Sequence, residues 1–152
     1  MRCTHVNRTP WLLLGLLPAA CSRGERPETL ADLGGYDGGI EIRMRMGEVS
    51  RTLEGSLTFD RAAGRLRFDG TVDGRALVLV RQDGKPPERE DAPGQRSALG
   101  PEDEGVLAWL LALVHAAPDA DAVLVSIEDG YRVTAGEQVL EVLFRPRASD
   151  ER

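Results

Sequence analysis

The chain has 152 residues, with 19 Lys+Arg against 25 Asp+Glu, 17 Gly, 9 Pro and 2 Cys, which is enough for one domain of ordinary size. Hydrophobic residues at 41% and charged residues at 29% exclude a wholly disordered chain, a collagen repeat and a multi-span membrane protein. Two cysteines cannot make a disulfide framework. With His5 and His115 the sole histidines, a His-built metal site or a Ser-His-Asp arrangement is hard to assemble.

Met1 to Thr9 carries Arg2 and Arg8 with no acid, Trp11 to Leu17 is an apolar run, and Pro18-Ala19-Ala20 leads into Cys21. These are the three regions of a secretory signal, read as residues 1–20. The apolar stretch from Pro10 to Ala20 is eleven residues long, too short for the roughly 20 that a helix needs to cross a bilayer. The run Leu16-Leu17-Pro18-Ala19-Ala20-Cys21 resembles a bacterial lipoprotein lipobox. That resemblance implies acylation of the Cys21 thiol, which becomes the first residue of the mature protein. Each buried methylene contributes about 0.8 kcal/mol, so two or three acyl chains hold a protein on a membrane essentially permanently. Ser22 after the Cys resembles the outer-membrane sorting signal of enteric bacteria. The expected location is therefore the cell envelope, on the outer membrane facing the periplasm. Removal of residues 1–20 takes away Arg2 and Arg8 and moves the formal charge from -6 to -8. So acidic a protein lacks the footprint of a nucleic-acid binder and is not drawn by its net charge to anionic headgroups.

Residues 21–39 mix charge, Pro27 and glycine, and read as a lipid-anchored tether with at most a short helix from Pro27 to Leu33. From Ile40 the hydrophobic period becomes two. Ile40, Ile42, Met44 and Met46 alternate with Glu41, Arg43 and Arg45, and Leu53, Leu57 and Phe59 alternate with Thr52, Glu54, Ser56 and Thr58. Leu66 and Phe68 mark a third strand, hairpinned to the second through Asp60 to Gly64. Asp73-Gly74 is a tight turn into Leu77-Val78-Leu79-Val80, a strand apolar on both faces whose second face needs a cover. Asp83 to Gly100, rich in Pro, Gly and charge, reads as a long loop, either functional or disordered.

Pro101 with Glu102, Asp103 and Glu104 makes a helix start, and Pro118 a stop, predicting a helix near 101–117. Val106, Trp109, Leu110, Leu113 and Val114 form one stripe widened by Leu107 and Leu111, which predicts burial over most of the girth. Three strands follow: Ala122 to Ile127, Tyr131 to Ala135 and Val139 to Phe144. A three-residue loop with Gly130 in the left-handed conformation would pair Ile127 with Tyr131 and Val125 with Val133, aligning the apolar faces. Residues 40–145 therefore read as a mainly β (α+β) domain, a curved antiparallel sheet or half-barrel of about seven strands covered by one buried helix. Residues 146–152 are a charged tail. No βαβ alternation calls for a parallel sheet.

The lipid-anchored start, the hairpin Gly55-Ser56-Leu57-Thr58-Phe59 with Gly64-Arg65-Leu66-Arg67-Phe68, and the helix carrying Trp109-Leu110-Leu111 resemble the outer-membrane lipoprotein localisation family (LolA and LolB). The resemblance implies an incomplete barrel closed by helices that holds acyl chains or lipoproteins in an apolar hollow. Met44, Met46, Leu57, Phe59, Leu66, Phe68 and Trp109 are the candidate lining, methionine being suited to variable ligands. The alternative is that these residues fill the core and the domain is an anchored interaction or structural module. Its envelope partner would then meet the Leu77 to Val80 face or the Asp83 to Gly100 loop. Glu102, Asp103 and Glu104 read as helix-capping charges, and His115 as incidental. Arg43, Arg45, Arg65 and Arg67 read as cross-strand partners of Glu41, Glu54 and Asp69. No Gly-rich phosphate loop, Cys pair or nucleophile elbow occurs. Enzymatic activity is thus the least favoured class, and no metal or cofactor is expected.

Overall fold

The structure, a computed structural model, describes residues 26–146. The signal segment, Cys21 and the tail beyond 146 lie outside the described residues. A single 3-10 turn, Leu30–Asp32, precedes six strands: β1 Gly35–Met46, β2 Val49–Asp60, β3 Arg65–Val72, β4 Arg75–Gln82, β5 Glu88–Ala92 and β6 Gln95–Ala98. Helix α1, Pro101–His115, then leads to β7 Val123–Ile127, β8 Gly130–Ala135 and β9 Gln138–Arg145. All nine strands form one open antiparallel sheet in the order β6-β5-β4-β3-β2-β1-β9-β8-β7. The two meanders join where β9 returns beside β1, with Ile42 opposite Val142 and Ile40 opposite Phe144.

The expected alternation sets the inner face. Ile40, Ile42, Leu53, Leu57, Phe59, Leu66, Phe68, Leu77, Leu79 and Val142 point to one side and are buried with Val106, Leu107, Leu110 and Val114 of α1. The predicted hairpin of β2 and β3 forms with Leu57 opposite Phe68. Asp73 and Gly74 both take left-handed backbone angles, φ 50° and 82°, as the two-residue turn between β3 and β4 requires for its twist to match the strands. Glycines also let strands approach closely. Gly55 faces Gly70 across β2 and β3, and a Cβ on Gly70 would lie 2.1 Å from the Glu54 carbonyl oxygen.

Four expectations are corrected. The Asp83 to Gly100 segment is no simple loop but contains the β5–β6 hairpin, so the sheet has nine strands instead of seven. β5 reads Glu-Arg-Glu-Asp-Ala and carries no apolar alternation, because charges bind it to its neighbours, Arg67 to Glu90 and Arg89 to Asp103 among them. The tether ends early: β1 begins at Gly35, Thr29 and Leu30 are buried, and the Leu30 N–H donates to the Tyr131 hydroxyl at 3.3 Å. Helix α1 ends at His115 and buries one side only, through Asp103, Val106, Leu107, Leu110 and Val114, while Trp109, Leu111 and Leu113 are half-buried.

The fourth correction is the register of β7. Its turn is Glu128-Asp129, with Asp129 at φ 62°, and it pairs Ile127 with Gly130, Val125 with Arg132 and Leu124 with Val133. Gly130 serves close approach instead of turn geometry, since a Cβ there would sit 1.9 Å from the Val142 carbonyl oxygen. Leu124 therefore faces the core, while Val123 and Val125 face outward and are exposed.

Two arginine-centred clusters fix the helix. At its start, buried Asp103 accepts from Arg75 of β4 at 2.9 Å and Arg89 of β5 at 3.3 Å. At its end, Arg61 Nη2 donates to the carbonyls of Val114 at 2.7 Å, Leu33 at 2.9 Å, Ala31 at 3.2 Å and Leu30 at 3.3 Å. The guanidinium also lies 5.9 Å from the Phe59 ring centroid. This fork gathers carbonyls from the helix C terminus and the 3-10 turn, of which Leu30 also accepts from the Leu33 N–H.

Two outcomes follow from this packing. Gly130→Ala should destabilise the fold by about 1–3 kcal/mol or more, because the clash is with backbone that cannot rotate away; urea unfolding measures it. Arg61→Lys keeps the charge but loses the planar fork, and the same measurement should show a loss of about 1–3 kcal/mol. A variant as stable as wild type would contradict the role given to Arg61.

Candidate functional site

The residues expected to line a hollow separate into two groups. Leu57, Phe59, Leu66 and Phe68 are 0–4% exposed and belong to the same buried cluster as the helix stripe. Met44 and Trp109 pack half-buried at the margin of that cluster. Met46 is exposed at the tip of β1, opposite the exposed Val49 of β2. Seven side chains are thus not gathered around one cavity. Where the end of α1 meets β2 and β3, the pocket between Val114, His115, Phe59 and Leu66 has a volume of only about 20 Å³.

Larger concavities open on the outer face of the sheet, opposite the helix. One, an open groove of about 400 Å³, runs between Thr58, Arg65, Arg67, Val80, Gln82 and Arg96. Val80 is buried there, on the face opposite Leu77 and Leu79. The strand expected to be apolar on both sides is so, and charged side chains of β3 and β6 share the groove with its second face. Arg67 bonds both oxygens of Glu90, at 3.1 and 3.3 Å, and lies 3.6 Å from Asp69. Arg96 bridges Glu88 and Glu90 at 3.6 Å each. Of the strand arginines expected to pair across strands with Glu41, Glu54 and Asp69, Arg43 meets Glu41 and Arg67 meets Asp69 along their own strands, while Arg65 lies 3.8 Å from Asp60 on the neighbouring strand.

These bonds shift the acids. The hydrogen bond from Arg67 holds the Glu90 carboxyl below the ordinary range, with the Arg96 charge assisting. Burial pushes Glu41 up, but bonds from Arg145 and Arg43 outweigh it and leave the group lowered. Bonds from Ser97 and Arg89 lower Asp91, and the Thr29 N–H and hydroxyl lower Asp32.

The rim of the sheet differs at its two ends. β6 is four residues long, carries Arg96, and joins β5 through a register shift between Glu90 and Ala92. β7 has no charge in Val123-Leu124-Val125-Ser126-Ile127. Its pairing rows place Val123 beside Thr134 and Val139, and Ile127 beside Gly130 and Leu143. The row between them sets Val125 beside Arg132 and Glu141, which lie 3.6 Å apart, so the apolar strip on the outer face is confined to β7 itself. Reading β7 by hydrophobic alignment turned that strip inward, and the signal that could have set it right was Leu124 matching Val133.

Glu102, Asp103 and Glu104 do stand in the first turn of α1, but Asp103 turns inward to the two arginines. His115 Nδ1 lies 3.2 Å from Arg61 Nη1, so this imidazole is a neighbour of the helix-end clamp. Among the described residues, no group of three or more His, Cys, Asp or Glu side chains is placed to hold a metal ion. Nor is any helix among them long and apolar enough to cross a membrane. Comparison of the chain with protein-family models, with curated proteins and with solved structures gives no match.

The lowered carboxyls make stability depend on acid. A group whose folded pKa is depressed contributes stability above its unfolded pKa and loses it as pH falls through the folded value. Urea midpoints should therefore stay level from about pH 5 to 7 and drop below about pH 4, with Glu90→Gln showing a shallower drop. A midpoint that rises on acidification would contradict this assignment.

Proposed function

We propose that the protein is a bacterial envelope lipoprotein, held on a membrane through acylated Cys21, that acts without catalysis as a protein–protein interaction module. The observation that carries this reading is the filled space between helix and sheet, where Leu57, Phe59, Leu66 and Phe68 are core side chains. What remains available to a ligand is the outer face and the rim. Seven residues separate Cys21 from buried Thr29, so the anchor holds the domain within about 30 Å of the acyl chains. The groups that could carry chemistry, Asp103, Glu90 and His115, are engaged by arginines, which supports a structural role for them.

The carrier reading, with the sheet as a half-barrel like that of the LolA and LolB family, draws on one observation. Met46 and Val49 form an exposed apolar lip on the helix side of the β1–β2 tip. It is the weaker reading, because the deeper part of the proposed lining is occupied by protein.

Labelling with a radioactive fatty acid, followed by fractionation, tests the anchor. Wild type should carry label and sediment with membranes, and Cys21→Ala should lose both. An unlabelled, soluble wild type would refute the lipoprotein reading. Native mass spectrometry separates the two functional readings: the module carries its covalent diglyceride alone, and a carrier also brings non-covalent lipid.

A further inference from the structure

We infer that β7 is a docking edge that takes an extended segment of a partner protein, with alternating β-branched residues at its centre and Lys or Arg at both ends. The inference rests on the reading of the protein as an interaction module and names the partner class for it. An edge strand presents unpaired N–H and C=O groups, and proteins ordinarily guard such edges with charge, proline, a bulge or a cover. β6 has such a guard, in Arg96 and the register shift beside it. β7 has none: it pairs with β8 alone among the described residues, and Val123 and Val125 are 59% and 39% exposed.

Charge selects among the occupants. Asp119 and Asp121 precede β7, and Glu128 and Asp129 follow it. Of these, Asp129 lies 3.7 Å from Arg145. A second copy paired antiparallel about Val125 would set Asp121 against Asp129 of the other copy at both ends. Like charges across such a pair oppose it. A strand with a neutral, β-branched middle and basic ends meets acid at each end and Val123, Val125 and Ile127 between. Main-chain bonds would supply affinity, and alternate side chains specificity.

The test uses the full chain, purified with its anchor in detergent, and two fluorescent peptides. One is Lys-Lys-Val-Thr-Val-Thr-Val-Lys-Lys; in the other the four lysines are glutamates. The basic peptide should bind saturably and about tenfold more tightly than the acidic one, with a preference that weakens as salt rises. Val125→Lys, at an exposed position the core does not use, should weaken the basic peptide about tenfold or more. The double variant Asp121→Asn, Glu128→Gln leaves the strand intact and should bring the two peptides within about threefold of each other. Equal binding of both peptides, failure of both to bind, or a Val125→Lys variant that binds like wild type overturns the inference. A dimer that Val125→Lys dissolves also overturns it and assigns the edge to a second copy. The anchor reading fails on a different result, a purified protein with no attached diglyceride.

Discussion

One helix must cover a sheet of nine strands. At about 4.8 Å between neighbours the sheet is on the order of 40 Å wide, while α1, with 15 residues, is about 22 Å long and about 10 Å across. The inner face is thus apolar over β1 to β4, β8 and β9, where α1 and the docked Leu30 cover it. Outside that reach the composition changes. β5 offers Arg89 to the buried Asp103 of the helix, and β7 offers only Leu124, half-buried at the edge of the core. Gly55 opposite Gly70 and Gly130 beside Val142 are places where neighbouring backbones leave no room for a side chain.

Polar contacts then do what burial cannot. Asp103 gathers two arginines from adjacent strands at the start of the helix, and Arg61 gathers carbonyls from the 3-10 turn and the helix end. Each cluster joins segments distant in sequence, so removing either loosens the register of the helix on the sheet as well as a local bond. Glu90 plays the corresponding part on the outer face, where Arg67 of β3 and Arg96 of β6 converge on it. The β5–β6 hairpin is held to the sheet by its main-chain pairing with β4 together with these charges.

The sequence made the centre of this fold legible and its margins obscure, for one reason. Alternation of apolar residues marks strands with one buried side, as in β1 to β3, β8 and β9 and the hairpin of Leu57 with Phe68, while an unbroken apolar run marks β4 and a stripe at helical spacing marks α1. A strand such as Glu88–Ala92, built from charge, has no such mark and is set by partners elsewhere in the chain. Arg61 lies in a turn with no periodicity, so nothing local announces its carbonyl contacts. The β7 register turned on whether Gly130 answers a conformational need or a spatial one, and that depends on β9, which comes later in the chain. Residues that line a hollow and residues that fill a core have the same composition, so sequence alone does not separate them.

The docking of Leu30 gives the N-terminal segment a mechanical meaning. Its main chain is held to Tyr131 on one side and Arg61 on the other, with the side chain seated in the interior. Tension applied from the N terminus therefore reaches the 3-10 turn first, as shear across bonds to two different parts of the sheet, and only afterwards the end of β1. The domain is thereby protected from being unzipped strand by strand by a pull on its leading end.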